Sequence, residues 1–409
     1  MRVRKAYGCS VVTEARMPEV LRAAGVTAER VEPGHLDGMC RLDGDARVMA
    51  ALGGIRPREV TAAHLGFDIE QWDEHGFGMY ALVVEGEGVV GRAGLRSKVL
   101  DGSPEVEVAY SLLSELWGRG ITTAVVDQVV ATAGLASLAG SVVATVGPAN
   151  GASLRVLEQV GFAFERELGR AGETMHLYRR RLGLEPWGEG PGAITADGCP
   201  VELYAALPAD GRAELLHERI PAGSSVLDLG CGTGRIAEPL SELGHQVTAV
   251  DNSPDMLARL RRAERVCSEI AGLRLDRRFD VVVLASNLVN HPDLAGRRRL
   301  LEVAGAHLAP SGELLIEWEP PEWFEPWAPG VTVRGAISDI ATELTVHARL
   351  GDLVAATVTY VRGERRWSQH FTTRRLTVDD LGQALAEVGL RLQGLFGPGE
   401  TWAAAVPDG

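Results

Sequence analysis

Hydrophobic and polar positions follow two different patterns on either side of an aperiodic stretch near residue 183. In the first part, "MYALVV" (79–84), the turn "EGEG" and "VVGRAGL" (89–95) predict a β-hairpin. "EVEVAYSLL" (105–113) alternates strictly and predicts a strand, Thr122 to about Gly134 a helix, and "SVVATV" (141–146) a further strand. In "NGASLRVLEQVGF" (150–162), Asn150 stands as the cap of a helix that places Leu154, Leu157 and Val160 at helical spacing. "MHLYRRRL" (175–182) predicts a closing strand, and the first thirty residues carry no assignable pattern.

"GLEPWGEGPGA" (183–193) has no periodicity, and its glycines and prolines propagate neither helix nor sheet, so it predicts a linker. Beyond it, "SSVLDLG", "HQVTAV", "FDVVVLAS" and "GELLIEW" are short apolar runs separated by helical segments, the pattern of a parallel sheet in βαβ units. From about Ile340 to Thr372 alternation returns and predicts an antiparallel meander. "TVDDLGQALAEVGL" then predicts a helix capped by Thr377 and stopped by Gly389. The fold class is therefore α/β with two domains, residues 1–182 and 194–409, joined by 183–193.

Composition narrows the function classes. A chain of 409 residues is long for a single core, and 45% hydrophobic with 23% charged residues is ordinary for a globular protein. A formal net charge of −14 argues against a nucleic-acid partner, because phosphate neutralisation needs a basic face. No apolar run approaches the roughly 20 residues that cross a bilayer, and the basic start lacks an apolar signal region, so no membrane partner and a cytoplasmic location are expected. Five scattered cysteines and ten unclustered histidines predict reduced thiols and no metal site. Oligomeric state is not legible.

Candidate chemistry concentrates in two glycine loops. In "VLDLGCGTGR" (226–235) a buried strand ends at Asp228 and leads into Gly230, Gly232 and Gly234, which let backbone approach a ligand at the carboxyl end of the strand. Asp251 ends the next strand, where a carboxylate can accept two ribose hydroxyls. Asp228 inside the loop would repel a pyrophosphate and suits a cationic ligand. These motifs resemble class I S-adenosylmethionine-dependent methyltransferases over most of residues 195–409. The resemblance implies that Asp228, Gly230, Cys231 and Gly232 line the methionine and ribose of the cofactor. It further implies that Asp251 takes the ribose diol, that Asn252 and Met256 flank the adenine, and that Glu269 and Ile270 lie near its amine. Leu284, Ala285 and Ser286 would border the methyl group. His291, in "ASNLVNHPD", is a candidate base or, equally, a helix-capping loop residue. Trp318 and Trp323, in "EWEPPEWFEPW" (317–327), offer an aromatic, acidic wall for a cationic or planar acceptor, with ordinary loop packing as the alternative. Tyr204 lies in the segment that in such enzymes folds over the cofactor, and the meander sits where a substrate cap is found.

The second loop is "LWGRGITT" (116–123), preceded by a strand and followed by a helix whose N-terminus favours an anion. Together with "GDARVMAALGG", "GFGMYALV" and "PANGASLRVLEQVGF", residues from about 36 to 182 resemble the GNAT superfamily of acyl-CoA-dependent N-acetyltransferases, of the ribosomal-protein alanine acetyltransferase type. The resemblance implies acetyl-CoA as cofactor, its pyrophosphate cradled by Trp117, Gly118, Arg119, Gly120, Ile121 and Thr122. The backbone of Leu112 would bind the pantetheine arm, with Asn150 and Ser153 along its far end. Glu107 is the candidate base. Leu157 occupies the position of the tyrosine acid found in many members, which leaves Ser153 as the nearby hydroxyl. Glu115 replaces the usual Gln or Arg at the loop start.

The combined expectation is a GNAT-type mixed sheet followed by a Rossmann-like seven-stranded methyltransferase sheet with an antiparallel substrate-cap insertion. It would act as a bifunctional tailoring enzyme on small-molecule acceptors. Two alternatives stand beside it: a methyltransferase with a non-catalytic, acyl-CoA-binding GNAT domain, and acetylation of a protein N-terminus or an antibiotic amine.

Overall fold

The computed structural model describes residues 16–170, 173–183, 186–208 and 210–408, so the basic opening stretch lies outside the described residues. Contacts within the chain gather into two units, Met1–Gly183 and Leu184–Gly409.

The first unit runs β1 (Val20–Ala23), β2 (Val26–Arg30), α1 (Leu36–Gly44), α2 (Ala46–Met49), α3 (Arg58–His75), β3 (Met79–Val84), β4 (Gly88–Leu100), β5 (Ser103–Leu112), α4 (Ile121–Leu135), β6 (Ser141–Val146), α5 (Gly151–Gln159), β7 (Ala163–Arg170) and β8 (Glu173–Arg181). Its eight strands form one sheet in the order β1-β2-β3-β4-β5-β6-β8-β7. Neighbours from β1 to β5 pair antiparallel, joined by tight turns except between β2 and β3, where α1, α2 and α3 intervene. The single parallel neighbour pair, β5 with β6, touches in register at one position, Glu107 with Val143. Helix α4 makes the crossover, and β5 runs on to Leu112 with that edge unmatched. The hydrophobic face of α4 (Val125, Val126, Val129, Val130) closes the core against Leu95, Val108 and Leu112. Two elements fall within the thirty opening residues that carry no periodic signal: β1 and β2 are each five residues or fewer, too short to register one.

The second unit continues as β9 (Trp187–Glu189), α6 (Val201–Ala206), α7 (Arg212–Arg219), β10 (Ser225–Leu229), α8 (Ala237–Glu242), β11 (Gln246–Asp251), α9 (Pro254–Leu257), β12 (Glu264–Cys267), β13 (Phe279–Leu284), α10 (Leu294–Ala306), β14 (Leu308–Glu317), β15 (Thr332–Ile337), β16 (Ile340–Leu350), β17 (Leu353–Arg362), β18 (Arg365–Arg374), α11 (Val378–Ala386), β19 (Leu390–Phe396) and β20 (Trp402–Pro407). Seven strands form a sheet in the order β12-β11-β10-β13-β14-β20-β19, parallel from β12 through β14 and antiparallel at β20 and β19. The strand order reverses at β10, where chain crossing leaves a crevice outside the carboxyl ends of the strands. Thr377 caps α11 in a reciprocal box with Asp380.

The meander is a separate five-stranded sheet, β15-β16-β17-β18-β9. It begins at Thr332, earlier than the alternation shows, because β15 is exposed along its whole length and carries no buried face to pattern. Its last strand corrects the linker reading. Residues 187–189 pair antiparallel with Ser368–His370 of β18, and Trp187 stacks on His370 with ring centroids 5.5 Å apart. Glycine permits this: a Cβ on Gly188 would strike the Gly198 carbonyl at 2.0 Å, so the stretch is Gly-rich for close packing rather than for flexibility.

Candidate functional site

At the head of β10 in the second unit, the backbone N–H groups of Gly230 and Cys231 both donate to the Val250 carbonyl at 2.9 Å, folding the loop back onto β11. Gly230, Gly232 and Gly234 all hold positive φ. A Cβ on Gly230 would meet Leu288 at 2.8 Å and Ile270 at 3.6 Å, so these side chains lean over the loop and leave only backbone beneath them. Asp228 is buried and its Oδ2 has no partner among the described residues; burial pushes its carboxyl up to about 7, with Arg212 opposing and Asp251 and Glu317 adding to the rise. An unpartnered buried carboxyl fits a sulfonium- and ammonium-bearing cofactor.

Asp251 accepts from Gly232 N and Ser253 N, both at 2.9 Å, and burial raises its pKa. Each oxygen keeps a second lone pair for a diol. Asn252 donates to Glu269 at 3.0 Å, and Met256 is buried under the same loop by the Ser253 cap of α9. Cys231 is buried with its thiol pushed up by desolvation, a packing residue of the loop. Leu284 and Ala285 are buried at the end of β13, and Ser286 and Asn287 follow with φ of 56° and 58°. Two adjacent non-glycine residues in the left-handed region mark strain held by the surroundings. Those surroundings are acidic. Glu317 accepts from Ser286 N at 2.7 Å and from Arg212 at 2.8 Å, and Glu319 accepts from Asn287 Nδ2 at 3.1 Å. Asn290 brackets Glu319, accepting its N–H at 3.0 Å. Burial, then Glu317, pushes the Glu319 carboxyl up to about 7.

Several candidates move. Trp318 is a core residue, 1% exposed, donating its indole N–H to the Glu400 carbonyl at 2.8 Å, so it corrects the aromatic-wall reading. Trp327 packs on Phe324 beneath the meander, and only Trp323 is exposed. Alternation along β14 dictates this, since Trp318 continues the inward face of Leu314 and Ile316. His291 is tied to the start of α10: its Nδ1 meets the N–H and C=O of Asp293 at 3.1 and 3.0 Å, and its ring lies over Gly296. This is the geometry of the capping alternative. Tyr204 donates to Gln369 of β18 at 3.1 Å, tying α6 to the meander, while its carbonyl accepts from Thr233 of the glycine loop at 3.3 Å.

In the first unit, Gly118 and Gly120 hold φ of 76° and 75°, and a Cβ on either would meet nothing within 4 Å. The glycines are needed for conformation, and the loop is open. Gly120 begins α4, so the N–H groups of Ile121 and Thr122 have no intrahelical partner and face outward with the positive end of the helix. Trp117 donates to the Leu112 carbonyl at 2.8 Å, and the Arg47 guanidinium lies 5.3 Å above its ring. Arg119 reaches back to the Glu115 carbonyl at 3.4 Å. Leu113 gives its N–H to Val90 on β4, so Leu112 turns its own N–H toward the unmatched edge of β5. An extended amide-bearing arm fits such an edge.

Asn150 caps α5 by accepting Ser153 N at 3.1 Å, and Leu157 is buried. A tyrosine hydroxyl does reach Ser153, from another element. Tyr110, on β5, places its hydroxyl 2.7 Å from Ser153 Oγ. Burial pushes it up to about 12, with the serine opposing, so it stays a neutral donor. Sequence spacing within α5 does not reveal it, since the contact crosses from sheet to helix. Lys98 and Thr145 both hydrogen-bond Oε1 of Glu107, joining β4, β5 and β6 at the one position where β5 and β6 pair. Among the described residues no group of three or more His, Cys, Asp or Glu side chains is placed to hold a metal ion, and no helix is long and apolar enough to cross a membrane.

Comparison with known proteins finds two families in the chain. A model described as acetyltransferase (GNAT) domain matches residues 26–163, and one described as methyltransferase domain matches 226–312. The dTDP-3-amino-3,6-dideoxy-alpha-D-glucopyranose N,N-dimethyltransferase of Streptomyces fradiae is 30% identical over 203 residues, covering 46% of this chain and 77% of that protein. A ubiquinone biosynthesis O-methyltransferase of Xanthomonas axonopodis pv. citri is 32% identical over 136 residues, 30% of this chain; the match spans 53% of that relative, about half its length. A GNAT-family acetyltransferase structure from Bordetella pertussis aligns with 22% identity over 40% of this chain and 99% of its own, with a TM-score of 0.36.

Proposed function

Since this chain belongs, through its second unit, to the class I S-adenosylmethionine-dependent methyltransferases and carries a GNAT acetyltransferase domain ahead of it, we propose that it is a bifunctional tailoring enzyme that methylates and acetylates amines of small molecules. The methyl acceptor is read as the amine of a nucleotide-linked amino sugar, the kind of compound named for the Streptomyces fradiae relative.

The observation that carries an amine, rather than a hydroxyl, is Glu319. An ammonium is unreactive until it loses a proton, and a carboxylate poised near pH 7 both attracts the cation and accepts that proton. S-adenosylmethionine, when bound, supplies the electrophilic methyl group. Asp228, Asp251 and the 230–232 backbone hold its charged and ribose parts, while Ser286 and Asn287 are held in their turn by Glu317 and Glu319. Glu319 would take the proton that the acceptor ammonium sheds and pass it on to solvent. Glu319→Gln tests this: methyl transfer to an amine is expected to fall by about 10²–10⁴-fold, with cofactor affinity preserved. An unchanged rate sinks the amine reading.

In the first unit, acetyl-CoA supplies the activated acetyl group when bound. Tyr110 and Ser153 offer hydroxyls to the sulfur as charge builds there. His64, whose pKa is lowered by burial and then by Arg56, Arg92 and Arg96, is neutral at pH 7 and serves as the base on the acceptor side. One observation favours a second reading, in which this unit binds acyl-CoA without turnover: the sheet carboxylate best placed by sequence, Glu107, is locked in an ion pair.

A further inference from the structure

A cavity of about 330 Å³ opens in the first unit on the face of the sheet covered by α1 and α3. Arg92 and Arg96 rise from β4, Ser111 from β5 beside them in register with Arg92, and Arg56 and His64 close the opposite side. The guanidiniums are held from behind. Asp43, wholly buried, accepts from Arg92 at 2.9 Å and lies 3.4 Å from Arg56, while Asp68 grips Arg96 through two bonds of 2.9 Å. Three cations thus stand against two carboxylates, and the carboxylates serve to aim the cations. Arg92 is itself buried, so its charge is poorly screened by water. The buried hydroxyl of Ser111 has no partner among the described residues and lines the same space. Leu52 and Phe67 form an exposed apolar rim. A positive floor with a spare hydroxyl donor and no free carboxylate repels a simple amine, so the amine must enter with its own anion.

We propose that this cavity is the acceptor site of the acetyltransferase unit and that it selects amines bearing a phosphate or diphosphate, held by Arg56, Arg92 and Ser111. The assignment rests on the acetyltransferase reading above and names its substrate class. A sugar monophosphate and a nucleoside diphosphate sugar share this chemistry.

The test is calorimetric titration of the full chain, saturated with coenzyme A so that the glycine loop cannot capture phosphate. Glucosamine, glucosamine 1-phosphate and uridine diphosphate glucosamine are the titrants. The two phosphate compounds are expected to bind at least about ten-fold tighter than glucosamine, and whichever binds tighter identifies the source. Arg56→Gln and Ser111→Ala are expected to remove most of that advantage; the serine hydroxyl has no partner among the described residues, so its loss leaves folding intact. Equal affinity for all three titrants, or a phosphate advantage that survives both substitutions, overturns the assignment. Acetyl transfer is followed separately by mass spectrometry. Phosphate-selective binding without transfer removes the acetyltransferase reading and leaves the anion site standing; transfer without phosphate selectivity does the reverse.

Discussion

Asp228→Asn should stabilise the cofactor-free protein while weakening cofactor binding. Burial pushes the carboxyl up to about 7 from an ordinary 3.8, a rise of roughly three. At about 1.4 kcal/mol per unit, this corresponds to roughly 4 kcal/mol of stability forgone above pH 7. The sign follows from proton uptake. Between about pH 4 and 7 the folded state holds a proton that the unfolded chain has released, so the cost grows as pH rises through that window and levels off above it. An amide keeps part of the penalty of burying a polar group, so about 2 kcal/mol should be recovered at pH 8, or roughly 4–8 °C in the melting of a unit this size. At pH 5 the wild-type carboxyl is already protonated in the fold, and the gain should shrink toward zero. Calorimetric scans at both pH values read this directly. The same substitution removes a charged partner of the cofactor and should raise its Kd on the order of 10–100-fold by titration. The reasoning is refuted if melting at pH 8 is unchanged or lowered, or if the gain is the same at pH 5.

Tyr110→Phe should lower the rate of acetyl transfer by about 10²-fold with coenzyme A affinity unchanged, measured by thiol release and titration, because it deletes a donor without touching the glycine loop. Glu107→Gln should leave acetyl transfer within about ten-fold while lowering the melting temperature, since it breaks the Lys98 clamp rather than a proton-transfer step; a rate loss with unchanged stability would restore Glu107 as base. Trp318→Ala should cost about 3–5 kcal/mol in denaturant unfolding, as a fully buried indole leaves a cavity in the second unit's core.

The parts of the molecule legible in the sequence are those whose chemistry is local. A glycine loop at a strand end, an acidic residue closing the next strand and an asparagine cap each depend on a few adjacent residues, so Asp228, Asp251 and Asn150 could be named with their elements. What depends on register was hidden. Glu107 reads as an open strand carboxylate until β4 and β6 bring Lys98 and Thr145 to it. Tyr110 and Ser153 are distant in sequence and meet only because α5 docks against the end of β5. Trp318 and Glu319 are adjacent, and just past β14 one turns into the core while the other meets Asn287 and Asn290.

The short strand β9 determines where the second unit can be cut free. A boundary drawn by composition at residue 194 would discard Trp187–Glu189 and leave Ser368, Gln369 and His370 of β18 with open backbone groups. An uncapped strand of this kind is a template for a neighbouring molecule's strand, so such a fragment should self-associate on concentration. A fragment starting at Leu184 carries its own edge guard and keeps Trp187 over His370. The segment that reads most like a tether is therefore a piece of the sheet it introduces.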